Sequence, residues 1–140
     1  NLMTREGARG MEYNAWSPDG GNPPNHVPIL VFTRFLAGPM DYTPGVFDIM
    51  IKNKPDNRVN TTLAKQLAYY VVIYSPLQMA ADLPENYEGN PAFQFIVDVP
   101  CDWQDTKVLN GEIGKYVTIV RKDRNSSDWY LGSITNEKPT

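Results

Sequence analysis

Tyr116-Val117-Thr118-Ile119-Val120-Arg121, followed after Asp123-Arg124-Asn125-Ser126-Ser127-Asp128 by the run from Trp129 to Thr135, decides the fold class. The period is two: Tyr116, Thr118 and Val120 oppose Val117, Ile119 and Arg121, the alternation of a strand with one covered face. The polar stretch between the two runs makes them a β-hairpin with a long loop. Asn125-Ser126-Ser127 fits a glycosylation acceptor pattern but is read as hairpin loop only. Upstream, residues 106–109 predict a further strand, closed by a turn at Asn110-Gly111. A three-stranded sheet has an unpaired edge and a face that needs cover. That cover is missing from this reading, which marks the chain as cut short.

Before the strands the pattern is helical. Asn60 or Thr61 caps a helix in which Leu63, Leu67, Tyr70, Val71 and Tyr74 recur at the spacing of a buried face. Pro76 interrupts it. Ser75-Pro76-Leu77-Gln78 matches a kink or a new start, with Ser75 as cap, Pro76 in the first turn and Gln78 reaching back. Residues 91–97 form another short helix with Phe93, Ile96 and Val97 inward. Helices first and strands afterwards place a domain boundary near residues 84–90, and the fold class is α+β.

The first 27 residues hold seven Gly and Pro residues between Gly7 and Pro24, and read as a strand end followed by a long loop, the kind of segment that carries function. His26 to Leu36 is an apolar run that periodicity alone assigns to neither helix nor strand. Gly38-Pro39 breaks it, and Asp41-Tyr42-Thr43-Pro44-Gly45 ends a short extended segment in a turn.

Composition narrows the function classes. The 140 residues are 41% hydrophobic and 21% charged, which is globular. No apolar run is long enough to cross a bilayer, so no membrane partner is expected. The formal net charge is −3 and the basic residues are scattered apart from Arg121, Lys122 and Arg124, which argues against nucleic acid and for a neutral substrate. One cysteine, Cys101, and one histidine, His26, exclude a disulfide framework and a Cys/His metal site within the chain. Asn1 opens no signal-like segment, and the chain reads as one cut into, so compartment stays open at this point.

The sharpest local feature is Thr4-Arg5-Glu6-Gly7-Ala8-Arg9-Gly10-Met11-Glu12-Tyr13-Asn14-Ala15-Trp16, two carboxylates six residues apart on a glycine-containing loop. Two acids in contrasting environments divide labour, one ionised or ligating a cation and the other kept protonated as a donor. The alternative is that Arg5 and Arg9 pair with Glu6 and Glu12 on a solvated turn. His26 is either a hydrogen-bonded structural histidine or a substrate contact. Asp41 faces a pocket or forms a turn, and Trp16 and Tyr42 stack on a ligand ring or fill a core.

The blocks TREGARGMEYNAW, GGNPPNHVPILVFTRFLAGPMDYTPG, TTLAKQLAYYVVIYSPLQMAADLPENYE and FQFIVDVPCDWQDTKVLNGEIGKYVTIVRKDRNSSDWYLGSIT, in this order, resemble glycoside hydrolase family 97. The resemblance implies an α-glucoside or α-galactoside hydrolase. Its fold would be a (β/α)8 barrel, of which residues 1–84 are the last strands and helices, followed by an antiparallel β-domain that begins at residues 85–140. It implies Glu12 as the general acid and Glu6 as a ligand of an active-site calcium ion, with Trp16, His26 and Asp41 as substrate contacts. Calcium takes six to eight oxygen ligands, so most come from elsewhere. The base of an inverting enzyme or the nucleophile of a retaining one resembles positions before Asn1. An oligosaccharide with α-linked glucose or galactose is the implied partner, the periplasm the implied location, and these 140 residues alone the inactive part of an enzyme. A second reading makes the later strands an assembly module, pairing with another subunit as a homo-oligomer through the C-terminal β-region.

Overall fold

The computed structural model describes residues 8–138. A 3-10 turn, Met11–Ala15, opens the described chain, and a short helix α1, His26–Leu30, and a second 3-10 turn, Arg34–Ala37, follow. Helix α2 spans Leu63–Val72, α3 Pro84–Tyr87 and α4 Phe93–Asp98. Strands β1 (Trp103–Glu112), β2 (Tyr116–Asp123) and β3 (Trp129–Thr135) form one antiparallel sheet in the order β1-β2-β3. The architecture is α+β, as the periodicity predicts.

Strand β2 behaves as its alternation requires: Val117, Ile119 and Arg121 are buried and their neighbours are half-buried. The cover expected to be missing is present on this face, because α2 lies across β3 and β2. Gly132 makes the approach possible. A Cβ there would lie 2.9 Å from Val71 Cβ and 3.0 Å from the Ala68 carbonyl oxygen, so any larger residue would push the helix away. Val117, Ile119 and Ile134 thereby join Met40, Tyr42, Val72 and Ile73 in one core that crosses the boundary expected at residues 84–90. The opposite face of the sheet stays open, with Trp129 and Leu131 exposed.

Four local expectations are corrected. Helix α2 is capped by Thr62, whose side chain accepts from Lys65 N at 3.2 Å. Asn60 is unavailable as a cap, since its amide donates to the carbonyls of Gly20 and Asn22. No helix restarts at Ser75. Ile73 is already extended, Gln78 Nε2 donates back to its carbonyl at 2.9 Å, and the Ser75 hydroxyl closes a turn on Leu77. Arg121 completes this end of α2 by donating to the carbonyls of Val71 (2.6 Å) and Val72 (3.1 Å), acceptors that a terminated helix leaves open.

The turn expected at Asn110-Gly111 falls instead at residues 113–115, where Gly114 has φ +73°. Asn110 and Gly111 stay in β1 after a bulge, and a Cβ on Gly111 would meet Phe32 Cζ at 2.8 Å, so this glycine serves packing rather than turning. In α4, Val97 is exposed, while Phe93 stacks on Tyr87 and Phe95 meets Tyr130 edge-on. The ambiguous run from His26 resolves as α1 and a 3-10 turn, so His26 opens a helix.

Candidate functional site

Glu12 sits in the first turn of Met11–Ala15 and is half-buried. The turn is built on polar side chains, not on an apolar face. Buried Asn14 donates from Nδ2 to the Met11 carbonyl (2.7 Å), and its Oδ1 accepts from Asn22 N (3.0 Å). Asn22 Nδ2 in turn donates to the Gly10 carbonyl at 2.8 Å, and Asn57 Nδ2 to the Asn14 carbonyl at 2.9 Å. Gly21, at φ +82°, lets this set close, because a Cβ there would fall 2.1 Å from Asn14 Oδ1.

The corner that receives the Glu12 carboxylate is formed by Gly10, Tyr42 and Thr43. A Cβ on Gly10 would lie 1.9 Å from Thr43 Oγ1 and 2.2 Å from a Glu12 carboxylate oxygen, so only glycine leaves room for both. Met11 N donates to the Thr43 carbonyl at 3.1 Å and ties the turn to the segment beside it. In that segment Met40 and Tyr42 are fully buried, and Asp41 and Thr43 lie between them and Pro44 with Asp41 half-buried. Burial first, then the charges of Tyr69 and Glu12, push the Tyr42 phenol well above its ordinary pKa, so it stays a neutral hydroxyl. Asp41 Oδ1, Tyr42 Oη and Thr43 Oγ1 are buried with no hydrogen-bond partner among the described residues.

The other expected site residues separate. Glu6 lies outside the described residues. Trp16 is 58% exposed, meets Tyr13 edge-on, and lines a small recess with Ser17, Lys54 and Asn57. Arg9 pairs with Asp19 at 3.4 Å and lies over the Tyr13 ring, and the Tyr13 hydroxyl donates to Asp19. Tyr42 is the aromatic residue whose phenol feels the Glu12 charge, whereas Tyr13 is held in this exposed cluster. His26 Nε2 donates to the Arg9 carbonyl at 2.9 Å. Burial, with Arg9's charge in support and the carbonyl bond opposing, holds the His26 pKa below its usual value, which keeps the ring neutral at pH 7.

Two larger clefts lie apart from Glu12, one of about 580 Å³ between the start of α2 and the end of β3, the other of about 610 Å³ beside Tyr87 and Phe93. Neither is lined by Glu12, Asp41 or Trp16. Among the described residues no three His, Cys, Asp or Glu side chains converge on a metal position. Sequence reasoning missed Gly10 and Thr43. Their only signal is a glycine two residues before the acid and a hydroxyl in the Asp41-Tyr42-Thr43-Pro44-Gly45 stretch, and neither has a period to betray it.

Residues 102–140 match the family model described as the glycosyl-hydrolase 97 C-terminal domain, oligomerisation. Over 97% of its length the chain is 34% identical to a retaining alpha-galactosidase from Bacteroides thetaiotaomicron. Over 94% it is 31% identical to a probable retaining alpha-galactosidase from Streptomyces bingchenggensis. It spans 21% and 19% of those two proteins, about a fifth of each. Among solved structures it is similar to a glycoside hydrolase family 97 enzyme from Pseudoalteromonas sp. strain K8 in complex with acarbose. The TM-score is 0.88 at 54% identity, over 96% of this chain and 22% of that one. A variant of that enzyme in complex with panose aligns at TM-score 0.87 and 53% identity, with the same coverage. A beta-arabinopyranosidase matches more distantly, at TM-score 0.70 and 27% identity over 80% of the chain and 18% of that structure. Sequence and backbone agree along nearly the whole chain, and it belongs to glycoside hydrolase family 97.

Proposed function

We propose that this chain is part of a glycoside hydrolase acting on α-linked glucosides or galactosides, with Glu12 as its general acid. The supporting observation is the corner at Gly10, Tyr42 and Thr43, which shields one side of the Glu12 carboxyl and sets a neutral phenol against it. As general acid, Glu12 gives its proton to the departing glycosidic oxygen and becomes a carboxylate as the bond breaks. The residue that attacks or activates water comes from outside these 140 residues. Between the two sugars, glucose is favoured: the chain is 53–54% identical to the enzyme bound to panose, a glucose trisaccharide, and to acarbose, against 34% to the α-galactosidase.

In this reading residues 1–84 are the last part of a (β/α)8 barrel, whose loops at the strand ends carry the site. The stretch from Met40 to Thr43, fully buried at Met40 and Tyr42, is read as the end of such a strand, although the described residues before Trp103 form no regular strand. Glu6 is a calcium ligand, suited by its hard oxygen donors, with most of the set supplied from elsewhere. Asp41, with one buried oxygen unpartnered among the described residues, is the better sugar contact. Trp16 offers an exposed ring for stacking, and His26, engaged by the Arg9 carbonyl, orients the loop instead. The periplasm is the location this family reading brings with it.

The test is Glu12→Gln in the full-length protein. Turnover of an ordinary disaccharide should fall by about 10²–10⁴-fold, while a substrate with a highly activated leaving group keeps most of its rate, because that group leaves without a proton. Undiminished hydrolysis of the disaccharide would end the assignment.

A second role rests on the open sheet face. Trp129 and Leu131 are exposed there, and the family model over this region is described by oligomerisation. We infer that this face meets another subunit of the same protein. Leu131→Asp should lower the mass found by light scattering to that of a monomer; a wild-type protein that is already monomeric contradicts the role.

A further inference from the structure

We infer that Gln66 is a positioning residue for Glu12: through it, helix α2 fixes the bend at residues 43–46 that forms one wall of the Glu12 corner. The inference rests on the reading of Glu12 as the acid and adds to it a residue outside the loop.

Gln66 is fully buried in a helix whose other inward residues are Tyr69, Tyr70, Val71 and Val72. A buried amide is expensive unless its bonds are made, and leucine would fill the same space without that demand. What leucine cannot do is hold two successive backbone N–H groups outside regular structure. Gln66 Oε1 accepts from Gly45 N at 2.8 Å and Val46 N at 3.1 Å, while its Nε2 donates to Thr61 Oγ1 at 3.0 Å.

The bend is pressed against α2 as well as bonded to it. Gly45 has φ +94°, and a Cβ there would lie 2.4 Å from Tyr70 Oη. Beyond α2, the Tyr87 hydroxyl donates to the Gly45 carbonyl (2.8 Å) and Ala81 N to the Pro44 carbonyl (2.9 Å). Asp82 Oδ2 accepts from Phe47 N at 2.6 Å and Asp48 N at 2.7 Å; although burial alone would raise its pKa, these and its other hydrogen bonds hold it below the usual carboxylate value.

A short path runs from this bend to the acid. Pro44, with φ fixed by its ring, connects Gly45 stiffly to Thr43. The Thr43 carbonyl accepts from Met11 N, the residue before Glu12, and Thr43 Oγ1 shares the space above Gly10 with the Glu12 carboxylate. Loss of the two bonds from Gln66 frees the wall on the side where α2 holds it. A displacement of about 1 Å is enough to misalign a proton donor.

The experiment uses the full-length enzyme and two substrates, an unactivated disaccharide and an aryl glycoside with a highly activated leaving group. Gln66→Leu should lower kcat on the disaccharide by about tenfold with KM nearly unchanged, and lower kcat on the aryl glycoside by less than about threefold. Gln66→Glu keeps an oxygen facing both N–H groups and should recover most of the loss. A folded Gln66→Leu enzyme that loses nothing, or loses equally on both substrates, overturns the inference. Should Gln66→Leu fail to fold, Tyr87→Phe, which removes the hydroxyl bonded to the Gly45 carbonyl, takes its place in the same two-substrate comparison: a larger loss on the disaccharide supports the inference, and no loss or an equal loss overturns it. Failure of the underlying reading is separate: it shows as a Glu12→Gln enzyme with full activity on the disaccharide, whatever Gln66 does.

Discussion

The loop that carries Glu12 and the sheet that begins at Trp103 are held together by different forces. In the sheet, a regular ladder satisfies the backbone and alternate side chains of β2 enter a core shared with α2. In the loop, amides do the holding: Asn14, Asn22, Asn57 and Asn60 bond to backbone groups across residues 9–22. An apolar core is non-directional, so it tolerates small displacements and stabilises in proportion to area. A hydrogen-bonded loop has little area to gain but fixes direction, which is what a proton donor needs.

The contrast predicts that stability and catalysis separate on substitution. Ile119→Ala removes a buried side chain from the middle of β2 and should destabilise by about 3 kcal/mol, visible as a clear drop in Tm, with kcat on a disaccharide little changed for the fraction still folded. Asn14→Ala leaves Asn22 N without its acceptor and releases the Met11 carbonyl, at a cost of about 1–2 kcal/mol confined to the loop. Its Tm should move less than that of Ile119→Ala, yet its kcat should fall by about tenfold. Equal Tm shifts with equal activity losses would mean that loop and sheet open as one cooperative body, and the distinction would be lost.

The same contrast explains what could be read in the sequence. Strands β2 and β3 were legible because alternation is a property of each residue type at its own position, and Val117 and Ile119 declare a face without reference to anything distant. Helix α2 was legible for the same reason, but its ends were not. Thr62 rather than Asn60 became the cap because Asn60 was already engaged by the carbonyls of Gly20 and Asn22, far away in sequence. The end at Val72 depends on Arg121, which no local pattern connects to Ser75-Pro76. In the site, Glu12 was found through the family resemblance, and spacing alone left open whether it was merely paired with arginine. Gly10, Thr43 and Gln66 act across the fold, and only the folded chain brings them together.

The smallest effect concerns the seam between the two regions, where Lys65 Nζ donates to the Pro24 carbonyl at 2.6 Å and the Thr135 carbonyl at 2.5 Å. Burial lowers its pKa to about 8, with Glu137 opposing. The unfolded chain holds this proton up to about pH 10.5, while the folded chain releases it near pH 8. Between these values the unfolded state binds more protons, so stability rises with pH, and below pH 8 the group adds no slope. Tyr69 and Tyr70 act in the opposite sense, since burial lifts their pKa above the usual 10, and their contribution is lost only at higher pH. The clean window is therefore about pH 8 to 9.5. Across it, Tm of the wild-type protein should rise relative to that of Lys65→Met by on the order of one degree. The two carbonyl acceptors favour the ammonium and work against this trend. Parallel curves for the two proteins would mean that they offset the desolvation, and that the seam holds a charged lysine as firmly in alkali as at neutrality.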